Sequence, residues 1–191
     1  MVGREIVRAQ LPHTIQGIDV PTLGNKYEGK VRDCFTKGDR RILVTSDRLS
    51  AFDRVLSTIP FKGQLINEMA DYWFKATEKL VPNHVIARPH PNVFVAREVE
   101  ILPVELIVRG YLTGSAWRDY QAGKAISGIK LPAGMKRSQR FDKPLITPST
   151  KAEKGQHDEP ISGEEILRSG LVEKRVWDQV CEYAQKLFDF G

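Results

Sequence analysis

The sequence lacks several features that would assign it directly to a class of protein. No stretch approaches the ~20 apolar residues of a membrane-spanning helix, and no apolar run follows the early charges Arg4 and Glu5 as a secretory signal requires. The two cysteines, Cys34 and Cys181, form neither a CxxC pair nor a zinc-ligand spacing. The basic residues are scattered and form no block of like charge. We therefore expect a cytoplasmic protein with reduced thiols and with no membrane or nucleic-acid partner.

The composition is that of a globular protein that can bury a core. The chain has 191 residues, of which 41% are hydrophobic, so it is long enough for one or two domains. Its formal net charge of +5 suits anionic partners. Because the basic residues are dispersed, this excess favours small phosphorylated ligands over nucleic acid.

The hydrophobic pattern predicts strands first and helices later. The predicted elements are a β-hairpin over residues 27–45, a helix over 64–80 ended by Pro82, strands over 84–87 and 93–97, a buried strand over 104–111, a short helix capped by Ser115, a connector over 123–144, and helices over 162–170 and 172–187. This order indicates an α+β fold with a largely antiparallel sheet. We expect a small β-rich lobe over residues 1–103, a more helical lobe over 104–191, and a ligand site in a cleft between them.

A polar segment over residues 147–162, TPSTKAEKGQHDEPIS, carries hydroxyls, charges and amides between prolines and has no apolar periodicity. It is predicted to be a functional loop. Its His157 and Asp158 could bind a metal, position an amine or close over a ligand. Because His-Asp pairs are commonly structural or solvated, the pair alone indicates little.

Two clusters in the first half of the chain combine charge with strand ends. In GKVRD (residues 29–33), Gly29 permits close backbone approach, and Lys30 and Arg32 on one strand could bind phosphate oxygens. The alternative is a strand with a solvated basic face. In SDRLSAFD (residues 46–53), Asp53 could orient an amine or a ligand hydroxyl; the alternative is a polar turn that caps a helix.

A third cluster, VRGYLTGS over residues 108–115, places an arginine at the end of a predicted strand and a hydroxyl at the start of a helix. Arg109 can clamp a carboxylate or phosphate through two parallel hydrogen bonds. Ser115 lies where free N–H groups of a helix start favour an anion. The alternative is Arg109 in a structural ion pair, but two independent anion-binding features favour a site.

Taken in order, YEGKVRD, TSDRLSAFD, ELIVRGYLTGSAW and TPSTKAEKGQHDEPIS closely resemble the SAICAR synthetases of purine biosynthesis, in their yeast-type branch. The resemblance covers residues 24–191 and implies a two-lobed fold whose β-rich lobe is similar to a kinase-type ATP lobe. It implies an ATP- and Mg²⁺-dependent ligase that joins the carboxylate of carboxyaminoimidazole ribotide to the amine of L-aspartate. In that family ATP activates the carboxylate as an acyl phosphate, which the amine then attacks.

The resemblance also implies roles for individual residues. Gly29, Lys30 and Arg32 would contact the ATP phosphates, and the backbone of the segment that includes Leu102, Val104 and Glu105 would meet adenine. Ser50, Arg109, Ser115 and Lys151 would bind the substrates, with Arg109 and Ser115 on the ribotide's phosphate or carboxylate. We assign catalysis to Asp53, His157 and Asp158; Lys151, His157 and Asp158 belong to the family's mobile substrate loop.

One departure from the family concerns length. Its members continue for roughly another hundred residues, with an acidic strand resembling DTKFEFG that helps hold magnesium, whereas this sequence ends in FDFG. We therefore expect a truncated protein with an incomplete second lobe, no identifiable metal ligands, little activity by itself and an exposed apolar patch on its last helix. The alternatives are an inactive ligand-binding fragment and a different ATP-dependent small-molecule kinase, although the sequence has no HRD motif and a DFG triplet occurs only as its last three residues.

Overall fold

The structure is a computed structural model that describes residues 3–52, 54–151 and 158–191. The chain divides into two compact units, Met1–Glu100 and Ile101–Gly191. Each unit combines helices with antiparallel strands, which confirms the predicted α+β class. Across the described ranges, no helix is both long and apolar enough to cross a membrane.

The first unit is built on an antiparallel sheet. Its elements in chain order are α1 (Arg4–Gln10), β1 (Asn25–Glu28), β2 (Arg32–Lys37), β3 (Arg40–Thr45), β4 (Arg48–Ala51), β5 (Arg54–Thr58), α2 (Lys62–Ala76), β6 (Val85–His90) and β7 (Val93–Arg97). Five strands form one sheet in the order β1-β2-β3-β7-β6, and β4 pairs with β5 as a separate hairpin. The chain leaves β3 directly into β4, so the polar segment 46–51 begins beside the sheet.

The predicted hairpin is confirmed as β2 and β3, which pair from Arg32↔Thr45 to Lys37↔Arg40. Gly38 adopts a φ of +60°, which glycine tolerates and which a tight two-residue turn requires. The prediction was wrong about Lys30: Gly29, Lys30 and Val31 form the turn before β2, so Lys30 and Arg32 do not share a strand face. Because β2 also pairs with β1, up to Glu28↔Asp33, the chain must reverse over residues 29–31, and the strand begins at Arg32.

Helix α2 begins two residues earlier and ends four residues earlier than the predicted range of 64–80. It ends where the backbone N–H and the hydroxyl of Thr77 both donate to the Trp73 carbonyl, well before Pro82. The residues of α2 that are buried are Gly63 and Asn67, not its apolar stripe. That stripe is exposed over Leu65, Met69, Tyr72 and Trp73.

The described residues of the second unit form two antiparallel strand pairs and three helices. Its elements are β8 (Val104–Glu105), β9 (Val108–Tyr111), α3 (Gly114–Gln121), β10 (Arg140–Ile146), β11 (Ser149–Thr150), α4 (Gly163–Arg168) and α5 (Lys174–Phe190). β9 pairs with β10, and β8 pairs with β11. One core contains Val104, Ile166, Val172 and Trp177, and a second contains Leu112, Ala116, Ile126 and Phe141.

Three predictions for this unit were wrong. The continuous buried strand over 104–111 is two short strands, β8 paired with β11 and β9 paired with β10, and between them the Thr147 N–H donates to the Ile107 carbonyl. Thr113, not Ser115, occupies the N-cap of α3. The connector over 123–144 contains Ile126 and Phe141 of the second core and the first residues of β10, since their side chains are buried together.

The two last helices were predicted correctly. The Ser162 hydroxyl accepts a hydrogen bond from the Glu165 N–H at 3.1 Å, and Gly170, with a φ of +70°, follows the end of α4. On α5, Trp177 is buried, whereas Leu187 and Phe188 near its end are exposed. The expected exposed apolar surface on the last helix is therefore present.

Candidate anion-binding sites

Arg109 and two hydroxyl groups form the most defined polar cluster of the second unit. The Arg109 Nε donates to the Thr147 hydroxyl at 2.9 Å, and its Nη2 donates to the Ser115 hydroxyl at 3.1 Å. Thr147 is in turn fixed, because its N–H and its hydroxyl both donate to the Ile107 carbonyl, at 2.9 and 3.2 Å. The guanidinium is thus oriented by neutral hydroxyls, and its positive charge is not cancelled by these contacts.

A cavity of about 390 Å³ surrounds this cluster. Its lining includes Arg109, Ser115 and Thr147, the carboxylates of Glu105, Asp119 and Asp158, and the hydroxyls of Ser127 and Ser149. The volume is in the range of small-molecule sites. A ligand that combines an anion with hydroxyl or amino groups would match this mixture of one guanidinium, several hydroxyls and three carboxylates.

The polar segment 147–162 is more ordered at its start than a loop prediction implies. Thr147, Pro148 and Ser149 are buried, because β11 pairs with β8 and because Ser127 donates to the Pro148 carbonyl at 2.9 Å. The two flanks of the segment also meet: the Thr150 N–H donates to the Glu159 carbonyl at 2.8 Å. Lys151 and Asp158 directly adjoin the two residues of this contact, and Asp158 lines the cavity.

The turn over residues 29–31 is the corresponding feature of the first unit. The Arg48 guanidinium donates to the carbonyls of Gly29 and Lys30 at 2.8 and 3.1 Å, and the Ser46 hydroxyl donates to the Val31 carbonyl at 2.8 Å. The Gly29 N–H donates to the Arg32 carbonyl at 2.8 Å, which closes the turn. The backbone of this turn is therefore held by buried polar groups.

Asp33 completes the support of the turn. Its Oδ1 accepts from Arg48 Nη2 at 2.8 Å, its Oδ2 accepts from the Ile18 N–H at 2.6 Å, and Lys26 lies 3.6 Å from it. Burial by itself would raise the pKa of Asp33, but the Ile18 N–H and the Arg48 guanidinium favour the charged form and hold the pKa below its ordinary value. Asp33 is therefore an ionised partner of Arg48.

In a comparison with known proteins, residues 25–191 match the family described as SAICAR synthetase. The chain belongs to the SAICAR synthetase family. It is 45% identical over 186 residues to the phosphoribosylaminoimidazole-succinocarboxamide synthase of Legionella pneumophila (strain Paris), which covers 95% of this chain and 59% of that protein. The predicted family resemblance is confirmed.

Solved SAICAR synthetases share the fold. SAICAR synthase from Saccharomyces cerevisiae, complexed with SAICAR, superposes with a TM-score of 0.80 at 31% identity and covers 92% of this chain and 64% of that one. A SAICAR synthetase in complex with ADP superposes with a TM-score of 0.69 at 21% identity and covers 87% of this chain and 66% of that one. The chain thus spans less than two thirds of the length of each of these proteins.

The structure brings together some of the predicted site residues. Arg109, Ser115, Asp158 and Glu105 line one cavity. Glu105 was predicted to contact the adenine of ATP. Its position in the lining of the cavity that contains Arg109 was not predicted. Leu102 packs against the first core and Val104 belongs to it, while Lys151 is exposed and its N–H donates to the Pro103 carbonyl at 3.0 Å.

Other predicted residues lie elsewhere or outside the described part. Ser50 is half-buried in β4, paired with Val55 of β5. Asp53 and His157 lie outside the described residues. Over the described ranges, no group of three or more His, Cys, Asp or Glu side chains is arranged to hold a metal ion.

Sequence reasoning missed the residues that support the two clusters. Asp33, Arg48 and Thr147 were noticed only as parts of motifs, and Ser127 and Asp119 were not considered. Arg48 lies in a run of polar residues after a strand, which predicts a solvated turn, yet it is 6% exposed. Only the VRD and SDR motifs in two separate segments hinted at a buried arginine–aspartate pair.

Proposed function

We propose that this chain carries the ribotide-binding site and the nucleotide-phosphate turn of a SAICAR synthetase. The complete enzyme joins the carboxylate of carboxyaminoimidazole ribotide to the amine of L-aspartate at the expense of ATP. The observation that carries the proposal is the Arg109–Ser115–Thr147 cluster in its cavity, in a chain whose residues 25–191 match this family.

Arg109 and Ser115 hold the anionic phosphate or carboxylate of the ribotide. The Arg109 guanidinium already has two hydroxyl partners, of which Thr147 is held by the Ile107 carbonyl, so it is oriented before the ligand arrives and loses little side-chain freedom on binding. Ser115, at the second position of α3, offers its hydroxyl beside the free N–H groups of that helix. A SAICAR complex of the yeast relative supports a ligand of this chemistry.

The turn over Gly29, Lys30 and Arg32 contacts the phosphates of ATP. Its backbone is fixed by Arg48 and Ser46, and two cationic side chains, Lys30 and Arg32, are exposed. Phosphate oxygens are matched by such backbone N–H groups and cations. The ADP complex of a protein with the same fold supports a nucleotide ligand.

Glu105, Asp119 and Asp158 supply acceptors for the ribotide's hydroxyl and amino groups or for the aspartate amine. Bound magnesium neutralises charge on the transferring phosphoryl group in enzymes of this type. The described residues offer no set of ligands for it, so no residue is assigned to magnesium. The adenine contacts of Leu102, Val104 and Glu105, the roles of Ser50, Asp53, Lys151 and His157, and the cytoplasmic location stay predictions.

Binding and turnover separate this function from its alternatives. The purified chain is titrated with ribotide and with ATP, and ADP release is then followed with ribotide in the presence and absence of aspartate. Binding of both ligands supports the proposal; binding without turnover indicates a ligand-binding fragment, and aspartate-independent stoichiometric phosphorylation indicates a kinase. Failure to bind the ribotide contradicts the proposal.

A further inference from the structure

Arg48 is buried, and its guanidinium donates four hydrogen bonds. It is 6% exposed, and its guanidinium donates to the carbonyls of Gln16, Gly29 and Lys30 and to Asp33 Oδ1. Asp33 is 1% exposed and balances its charge. A Cβ at Gly17 would lie 3.4 Å from Asp33 and 3.5 Å from Arg48, so the chain packs closely over the pair. Arg48 therefore acts on its surroundings and not on a ligand directly.

The contacts of Arg48 and Ser46 fix the direction of three successive peptide groups. The carbonyls of Gly29 and Lys30 point at Arg48, and the carbonyl of Val31 accepts from the Ser46 N–H at 3.0 Å and from its hydroxyl at 2.8 Å. In a planar trans peptide the N–H points opposite to the carbonyl. The N–H groups of Lys30 and Val31 thus point away from Arg48, and that of Arg32 points away from Ser46.

We infer that Arg48 is a positioning residue that holds the 29–31 turn so that successive backbone N–H groups face the phosphate chain of a nucleotide. This inference rests on the proposed function, because it takes that turn as the phosphate contact. Successive N–H groups on one side of a turn form an anion-binding concavity. The inference adds a backbone contribution, set by a buried arginine, to the charges of Lys30 and Arg32.

Lysine cannot take over this role. The planar guanidinium reaches four acceptors in fixed directions, whereas an ammonium on a flexible stem has three donors and no fork. In Arg48→Lys the charge opposite Asp33 is retained, but the carbonyls of Gly29 and Lys30 lose their common donor. The turn then samples other orientations, and the phosphate chain loses aligned N–H partners.

The test compares nucleotides that differ only in phosphate number. Affinities for AMP, ADP and ATP are measured by calorimetry on the wild-type chain and on Arg48→Lys. We expect Arg48→Lys to weaken ATP binding about tenfold, which corresponds to losing one or two aligned hydrogen bonds, and to change AMP binding by less than about twofold. Hydrogen exchange at the Lys30 and Val31 amides should slow on ATP binding in the wild type and slow less in the variant.

Arg41→Lys is the matched control. Arg41 lies on β3 of the same sheet and forms a two-point ion pair with Glu98 at 2.6 and 2.7 Å. The Arg41→Lys variant loses a comparable two-point guanidinium contact, but Arg41 does not touch the 29–31 turn. The preference of this variant for ATP over AMP should therefore equal that of the wild type. Asp33→Asn is the second comparison: Arg48 keeps its three carbonyl contacts, so we expect a lower melting temperature with the phosphate preference retained.

The outcomes are distinct. Equal weakening of AMP and ATP in Arg48→Lys, or the same loss of preference in Arg41→Lys, overturns the positioning role and leaves the proposed function standing. A wild-type chain that binds none of the three nucleotides overturns both. If Arg48→Lys does not fold, Ser46→Ala decides, since it removes the hydroxyl that donates to the Val31 carbonyl and accepts from the Arg48 N–H. A reduced ATP preference supports the inference, and an unchanged preference overturns it.

Discussion

Arg109 Nε donates a 2.9 Å hydrogen bond to the hydroxyl of Thr147, a residue 38 positions later in the chain. The bond joins the VRGY strand to the start of the TPST segment, two motifs that are separate in sequence. Thr147 is 2% exposed, so this hydroxyl has little access to water as an alternative partner. Arg109, which lines the cavity, is thereby held by a neutral group that does not neutralise its charge.

Replacing Arg109 by lysine should impair ribotide binding selectively. Lysine keeps the charge but not the planar fork, and loss of charged hydrogen bonds worth about 1.5–3 kcal/mol corresponds to roughly 10- to 150-fold weaker binding. Calorimetric titration with ribotide and with ATP measures the effect, with Arg118→Lys on the exposed side of α3 as the control. Equal losses for both ligands would show that Arg109 is structural.

Replacing Lys30 by alanine should weaken ATP binding while the fold survives, because the exposed side chain lies on the turn assigned to the phosphates. The expected loss is about 1.5–3 kcal/mol, the usual contribution of a charged hydrogen bond. Lys37→Ala, an exposed lysine at the far end of β2, is the control for general charge loss. Unchanged nucleotide affinity in a folded Lys30→Ala protein would contradict the assignment.

Replacing Thr147 by valine removes a hydroxyl without changing the side-chain shape. The Ile107 carbonyl keeps the Thr147 N–H, so we expect only about 0.5–1.5 kcal/mol of lost stability, together with weaker ribotide binding because Arg109 loses its orienting acceptor. Thr58→Val, which breaks a 2.8 Å hydroxyl pair with Thr14, is the control for stability alone. Ribotide affinity equal to that of the wild type would show that Arg109 needs no orienting partner.

Asp33 should contribute to acid unfolding. Its folded-state pKa is lowered, so between that value and its unfolded pKa of about 3.9 the unfolded chain binds more protons, and stability falls as the pH drops through this window. In Asp33→Asn we expect lower stability at pH 7 and a flatter decline of stability below about pH 4. Urea titrations across pH test this against Asp178→Asn, an exposed acid paired with Lys174. If stability below about pH 4 fell as steeply in Asp33→Asn as in the wild type, the role of Asp33 would be refuted.

Two glycine-to-alanine changes should differ sharply in cost. A Cβ at Gly63 would lie 2.4 Å from the Thr45 carbonyl and 2.8 Å from that of Ser46, and backbone atoms of a sheet cannot move away easily. We expect Gly63→Ala to cost about 1–3 kcal/mol or more, although alanine favours helices. A Cβ at Gly110 would meet the Phe188 ring at 3.0 Å, and that exposed side chain can shift. Comparable destabilisation in both variants would contradict this distinction.

The family, the α+β class, the hairpin and the two last helices followed from the sequence alone. Their signals are local: a Gly-Asp turn between apolar runs, Ser162 three residues before Glu165, and a 3.6-residue periodicity before the chain end. The sequence also indicated Arg109 and Ser115 as a candidate anion-binding pair, because the arginine lies at a strand end and the hydroxyl lies at a helix start six residues later.

Tertiary structure alone decided which polar residues are buried and what they hold. The polar run around Arg48 predicts a solvent-exposed side chain. Instead, its guanidinium donates to the carbonyls of residues 16, 29 and 30 and to the Asp33 carboxylate, which take the place of water. Thr147 reads as part of a loop, yet it is enclosed beside Ile107 and Arg109. Sequence cannot show this, because burying a polar group is favourable only when its partners meet it, and these partners come from distant segments.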